Sequence, residues 1–414
     1  MSVAIQSYLD REPIRASSQA IGVLHVITRL ANGGAGENTL LSVNGLDHSR
    51  YRVDLAVGAG SEPGLIEKIG LHESVKLHLI PELMRNPNPA VDLRAVRRLR
   101  SIIRNGGYRI VHTHGAKAGI VGRIAAHREG VELIVNGIHG ITFSNEMGRL
   151  RALVYRLIER HVARWTDAFV SVGEDMRQKY LAVGIGKPQQ HHVIRSGMHL
   201  DRFRRAAQLS EAQRVALRAE LGIAPRQPVV GMVARFEPRK GHRYFLDAAA
   251  RIAATCDTQQ GAAVFLLVGD GPERDAVVQY AEELGLSSQL RLSGFRQDVE
   301  NMFAISDVVA LTSFWEGLPR VLVQAAATGV PSVTFAVDGA WEIVRDGETG
   351  FVVPMRDSAT LARRIESLLA DPASRRRMGS AAQHQVTDDW SVETMVRRIE
   401  QLYENALTEA SAEV

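Results

Sequence analysis

From residue 21 onward, short apolar runs alternate with longer segments of helical patterning, and the alternation happens twice. The first series has strand-like runs at 21–27, 53–57, 110–112, 132–135 and 168–172, with helical patterning at 37–46, 91–104 and 150–165 between them. The second has runs at 229–233, 263–268, 290–292, 308–311 and 332–335, separated by helical segments at 244–254, 275–284, 299–304 and 320–327. Such a chain has few options, because each strand must return parallel to its predecessor and helices then cover both faces of the sheet. The expected fold is α/β: two doubly wound, Rossmann-like halves joined around 196–228 and facing each other across a cleft. Ligands of such sheets bind outside the carboxyl ends of the strands, which makes the interdomain cleft the default site.

The boundaries expected are an N-terminal extension over 1–20, a first domain over 21–196, a second over 197–388 and a closing segment over 389–414. In the last, Val392, Met395, Val396, Ile399, Leu402 and Tyr403 recur at helical spacing. One apolar stripe of this kind asks for a partner, and the helix is expected to pack back on the first domain. At 45% hydrophobic and 23% charged residues, the composition is that of a folded globular chain.

Cys256 is the only cysteine, which excludes an internal disulfide and a cysteine-based zinc cluster and suits a reducing compartment. No apolar run reaches the ~18–20 residues of a membrane span. Asp10, Arg11, Glu12 and Pro13 stand where a secretory signal needs an apolar stretch, so a cytoplasmic location is expected. The formal charge of +4 favours an anionic partner. Nucleic acid is not expected, since there is no Cys/His finger and no aromatic and basic interleaving. The helix at 91–104 carries Arg94, Arg97, Arg98, Arg100 and Arg104, which suits either a solvated face or peripheral contact with the anionic inner face of a membrane.

The first run leads into Asn32, Gly33, Gly34, Ala35 and Gly36. As a dinucleotide fingerprint this turn fails, because the third glycine position counted from Gly34 is Thr39. It reads either as a plain tight turn or as backbone N–H groups that a phosphate can approach. After 229–233, VARFEPRKG puts Arg235 and Lys240 in one loop, where an arginine fork and a lysine point charge can clamp a diphosphate or simply be solvated. Glu316 and Gly317 fall at a strand-to-helix turn, with Pro319 in the first helical turn. Gln324 follows ~7 Å along that helix. The pair brackets a helix end that can take a phosphate, as a nucleotide sugar requires; capping alone is the plainer alternative. His112 and His114 share one face of a strand, with Lys117 close behind, and a metal pair is the sharper alternative there. No Asp-x-Asp occurs, which removes the usual carboxylates for a magnesium-held diphosphate. No metal or other cofactor is expected. Asp270, between two glycines, reads as a turn residue.

Together these segments resemble the retaining glycosyltransferases of family 4, which have the GT-B fold. The resemblance spans about residues 21–405 and rests on stretches that arrive in the family's order: NGGAGE, HTHGAKAG at 112–119, NGIHG at 136–140, SVGEDMRQ at 171–178, SGMHLDRF at 196–203, VARFEPRKG, VGDGPE at 268–273, SGFRQDV at 293–299 and EGLPRVLVQA at 316–325. The flavour is that of bacterial exopolysaccharide, capsule or lipopolysaccharide assembly. The resemblance implies a nucleotide diphosphate sugar as donor and a glycan or lipid-linked acceptor. It implies that Arg235 and Lys240 hold the diphosphate and that Glu316 contacts the donor sugar. Gly317, Leu318 and Pro319 would meet sugar and phosphate, Gly294, Phe295 and Arg296 would face the base, and Gln324 would hold the ribose. From the first domain, Gly34, Ala35 and Gly36 would touch the phosphate, and His139 would stand by the anomeric carbon, with His114 and Lys117 also on the acceptor side. The family pattern has glutamate where this chain has Gln324, which puts the strength of ribose binding in question. A GT-B-fold sugar-nucleotide epimerase or phosphorylase and a non-catalytic nucleotide-sugar or glycan binder are the rival readings.

Overall fold

The computed structural model describes residues 8–9, 11, 19–31, 33–141, 143, 148–255, 257–258 and 261–412; most of the extension expected over 1–20, together with Asn32 and Cys256, lies outside them. The chain forms two compact units, Met1–Met198 with Asp389–Val414, and His199–Asp388.

The first unit is built on β1 (Ile21–Ile27), β2 (Tyr51–Gly58), β3 (Lys76–Ile80), β4 (Ile110–His114), β5 (Leu133–Ile138), β6 (Ala168–Ser171) and β7 (His191–Val193). All pair in parallel, in the order β3-β2-β1-β4-β5-β6-β7. The sheet therefore grows outward from β1 to β3, and the chain then crosses back to β4 and grows the other way. The second unit repeats the plan with β8 (Val229–Val233), β9 (Val264–Val268), β10 (Leu290–Gly294), β11 (Val308–Leu311), β12 (Ser332–Phe335) and β13 (Gly350–Val353). Their order, β10-β9-β8-β11-β12-β13, reverses between β8 and β11. The central strands of the second unit, β8, β9 and β11, are apolar in continuous runs because a parallel sheet with helices on both faces has no wet side. Val23 and Ile27 join the cluster under the Gly34–Gly45 helix. Leu24 and Val26 join the one under the Pro89–Gly106 and Ala116–Arg128 helices.

The first helix begins at Gly34, not at 37, so Gly34, Ala35 and Gly36 are its first turn and Gly33, at φ 149°, is its N-cap. A Cβ on Gly36 would lie 2.5 Å from the Ala31 carbonyl oxygen and 2.8 Å from Leu65 Cδ2. Glycine there lets the helix settle against the end of β1. Strands β3, β7 and β13 are additions to the sequence reading. Each lies at the edge of its sheet, where one side needs no apolar residue and the strand signal is diluted.

The Val392–Ala412 helix belongs to the first unit and packs on the Gly34–Gly45 helix. Met395, Val396, Ile399 and Tyr403 are buried in that unit's core, each at about 1.5–3 kcal/mol for a fully buried side chain of this size. The return of the chain is pinned where the Met198 N–H donates to the Trp390 carbonyl at 2.9 Å and the Arg195 guanidinium lies 4.1 Å from the Trp390 ring centre.

Candidate functional site

In the first unit the reversal between β1 and β4 gathers histidines. The register sets His25 beside His112 and Ile27 beside His114. His25 Nδ1 is 2.9 Å from His114 Nε2, and His114 Nδ1 is 3.0 Å from His139 Nε2, so a chain of imidazoles leads from buried β1 to half-buried His139. His112 Nδ1 meets the Tyr403 hydroxyl at 2.7 Å. Burial pushes His25 down to about 3 and carries His112 and His114 well below the ordinary value, with neighbouring imidazoles adding to the effect on the latter two. The three rings are thus neutral near pH 7, each with one donor and one acceptor nitrogen. Beside them Asn38, Ser42, His112, His114, Gly137 and His139 border a cavity of about 10 Å³, room for one water. Nitrogens of His25, His112 and His114 also lie within 4.8 Å of one another.

Of the acceptor-side residues read from the sequence, Lys117 and His139 are partly exposed, and His139 is the imidazole that solvent reaches. His114 is buried behind it and acts on anything outside only through it. Lys117 Nζ is paired with Asp92 Oδ2 at 2.5 Å. Gly34 is exposed and Ala35 half-buried, but Gly36 is buried; a phosphate can approach the exposed Gly34 end of the turn, while Gly36 serves packing. His25 escaped the sequence reading, and Tyr403 entered it only as part of the closing helix's apolar stripe. No local pattern points to His25; the register of β1 against β4 is what brings it to the cluster.

In the second unit the loops after β8 and β11 are laced together at the reversal. The Phe314 N–H donates to the Arg239 carbonyl at 2.9 Å, and the Thr312 hydroxyl donates to the Lys240 and Gly241 carbonyls at 3.0 Å each. Gly241 turns at φ 64°, and a Cβ there would meet the Thr312 carbonyl oxygen at 2.3 Å. The lacing carries Lys240 Nζ to Glu316 Oε1 at 2.5 Å, with both side chains largely shielded from solvent. Arg235 Nε and Arg239 Nε reach the two oxygens of Glu237 at 3.2 and 2.9 Å. Burial works to raise the Glu237 pKa, but the Arg239 hydrogen bond and the charges of Arg239, Arg235 and Lys240 outweigh it and leave a net lowering.

Pro319 is the N-cap of the Arg320–Ala327 helix, just outside the first turn in which the sequence reading put it. Its φ of −76° and ψ of 77° are not helical. Gln324 is the fifth residue of that helix and half-buried, Leu318 is buried, and Gly317 is half-buried. Gly294 closes β10 at φ 68°, and its carbonyl accepts from the Gly269 N–H at 2.9 Å. Phe295 is exposed, and Arg296 forks onto Asp298 at 2.8 and 2.7 Å. The structure thus brings Lys240 and Glu316 into contact, with Arg235 in the same loop as Lys240 and Gly317–Pro319 following Glu316. His242, missed in the sequence, stacks on Phe236 at 4.5 Å; burial and then the Lys240 charge lower it to about 4.

Two parallel α/β units, each with polar groups at its own sheet reversal, define a class of doubly wound, two-unit proteins rather than a particular one. Residues 33–197 match the glycosyl transferase 4-like domain, and residues 213–385 match the glycosyl transferases group 1. The chain belongs to the family-4-type glycosyltransferases, with the GT-B fold. It is 28% identical over 334 residues to the UDP-Gal:alpha-D-GlcNAc-diphosphoundecaprenol alpha-1,3-galactosyltransferase of Escherichia coli, covering 80% of this chain and 84% of that one. It is 29% identical over 302 residues to the Bacillus subtilis glycosyltransferase EpsD, covering 72% and 77%. Among solved structures, Anabaena HepE in complex with UDP superposes with a TM-score of 0.77 at 25% identity, covering 93% of this chain and all of that one. The sucrose-phosphate synthase of Thermosynechococcus elongatus gives 0.78 at 20% identity, covering 94% and 100%.

Proposed function

We propose that this glycosyltransferase moves a sugar, with retention and without a metal, from a nucleotide diphosphate donor to a lipid-linked or polysaccharide acceptor at the cytoplasmic face of the membrane. The Lys240–Glu316 contact at the β8/β11 reversal carries the reading. A sugar diphosphate offers hydroxyls to a carboxylate and anionic oxygens to a lysine, so the two side chains, already side by side, match two adjoining parts of one ligand. Arg235, Lys240 and the amino end of the Arg320–Ala327 helix stabilise charge on the departing diphosphate. The acceptor hydroxyl then attacks the oxocarbenium-like sugar on the face the diphosphate left. His139 is the acceptor-side group, and Gln324 holds the ribose. The UDP of HepE and the lipid-diphosphate acceptor named for the Escherichia coli relative support this choice of substrates.

A thermal-shift screen of the full chain against UDP-, GDP- and ADP-sugars tests it, since a ligand at 100 times its Kd stabilises by about 2.7 kcal/mol. One nucleotide class is expected to shift the transition; no shift with any of them would contradict the proposal. Gln324 favours the non-catalytic binder as the second reading. A chain that binds a nucleotide sugar yet transfers nothing, and gains transfer on Gln324→Glu, would establish that reading.

A further inference from the structure

Five of the large apolar side chains exposed on this protein stand on one helix, Arg149–Val162: Leu150 at 75%, Leu153 at 47%, Val154 at 46%, Leu157 at 54% and Ile158 at 38% exposure. At about 100° per residue they occupy one stripe about 140° wide. The helix faces the protein through Ala152, Glu159 and Val162, on roughly the opposite side, so the stripe points away from the core. Its flanks are basic. Arg149 and Arg160 are exposed and Arg156 half-buried along one edge, with Arg151 exposed on the other. The helix has one acid, Glu159, and that is buried against Arg123 at 2.5 Å.

We infer that this helix docks the enzyme on an anionic phospholipid surface, lying in the interface with its leucines among the acyl chains and its arginines among the headgroups. At 14 residues it is about 21 Å long, too short for a hydrocarbon core of about 30 Å, and no described helix is long and apolar enough to cross. Apolar stripe, basic flanks and no exposed acid are the marks of a helix that lies on a membrane. A second copy fits less well, because a two-fold contact through this stripe would set arginines against arginines with no carboxylate between them. The Pro89–Gly106 helix is the weaker candidate: its buried side is spent on the core, and Arg100 and Arg104 are both taken by Glu129.

Flotation of the full chain with vesicles of phosphatidylglycerol in phosphatidylcholine, against phosphatidylcholine alone, tests the inference whichever sugar is transferred. The parent is expected to float with the anionic vesicles at least about tenfold better, and less so in high salt. The triple variant Leu150→Ser, Leu153→Ser, Leu157→Ser should lose this by about tenfold or more at an unchanged Tm. Arg149→Gln with Arg151→Gln should weaken it, and Arg94→Gln with Arg97→Gln and Arg98→Gln should not. No flotation of the parent, parent-like flotation of the leucine variant, or loss confined to the Arg94 set would overturn the inference. So would a parent dimer in sedimentation that the leucine variant turns into monomer, since a second copy would then cover the face.

Discussion

Lys240 and Glu316 satisfy each other across 2.5 Å, and in the proposed site a bound sugar diphosphate shares them, so the two should be the most sensitive positions in the second unit. Lys240→Ala or Glu316→Gln is expected to cut turnover about a hundredfold or more, the usual effect of losing one preorganised charge-stabilising group. Gln324→Glu should do far less. A glutamine already offers a carbonyl acceptor and two N–H donors to a ribose diol, and exchanging one such contact for a charged one alters affinity by no more than ~1–2 kcal/mol. Donor titrations and initial rates on the three variants check this; a Gln324→Glu defect as deep as that of Glu316→Gln would be inconsistent with it. His139→Ala should impair turnover more than donor binding, because His139 is assigned to the acceptor. Equal losses in rate and donor affinity would return His139 to a packing role at the end of its imidazole chain.

The C-terminal helix and strands β1 and β4 meet in the histidine cluster, and their joint stability is tied to pH. Folded His25 titrates at about 3, against an ordinary 6.5, so below pH 6.5 the unfolded chain takes up a proton that the folded one refuses. His112 and His114 are lowered in the same direction. Stability of the first unit is therefore fully present above about pH 6.5 and falls with acidification, by up to about 1.4 kcal/mol per pH unit for each such histidine. Urea unfolding between about pH 7 and pH 5 should show it; a flat profile would mean that these rings are protonated in place. Tyr403→Phe removes the partner of a buried imidazole nitrogen and is expected to cost about 1–3 kcal/mol, measured by the same unfolding at neutral pH, where a neutral result would show that water reaches His112. The apolar strands β8, β9 and β11 were legible in the sequence because a strand buried on both faces is one unbroken run. The Ala116–Arg128 helix was not. Its buried side is Ala118, Gly119, Val121, Gly122, Arg123, Ala125 and Ala126, and a Cβ on Gly122 would come within 2.5 Å of Thr113 Cγ2; a face made of small residues, one valine and a buried arginine shows no apolar stripe in the sequence. At the site, Lys240 and Glu316 were legible as loop residues, whereas their contact and the His25–His114–His139 chain depend on strand order, which no local pattern encodes.

Taken whole, the chain repeats one device, placing its polar residues where each parallel sheet reverses its direction of growth. The two sheets do so with different chemistry. The second unit sets a lysine and a carboxylate side by side under solvent-shielding loops, a charged arrangement suited to a diphosphate sugar. The first unit sets neutral imidazoles, poor at holding a phosphate but able to orient an uncharged hydroxyl. In the proposed reaction that division leaves cationic side chains and a helix end to neutralise the leaving group, with no step assigned to a divalent cation. The most direct measurement is transfer by the full chain in EDTA, using the nucleotide sugar that binds, with the anomeric configuration of the product read by NMR. Undiminished turnover, with the product keeping the anomeric configuration of the donor, is the expected result; inversion at the anomeric carbon, or activity lost on chelation and restored by magnesium or manganese, would contradict the account.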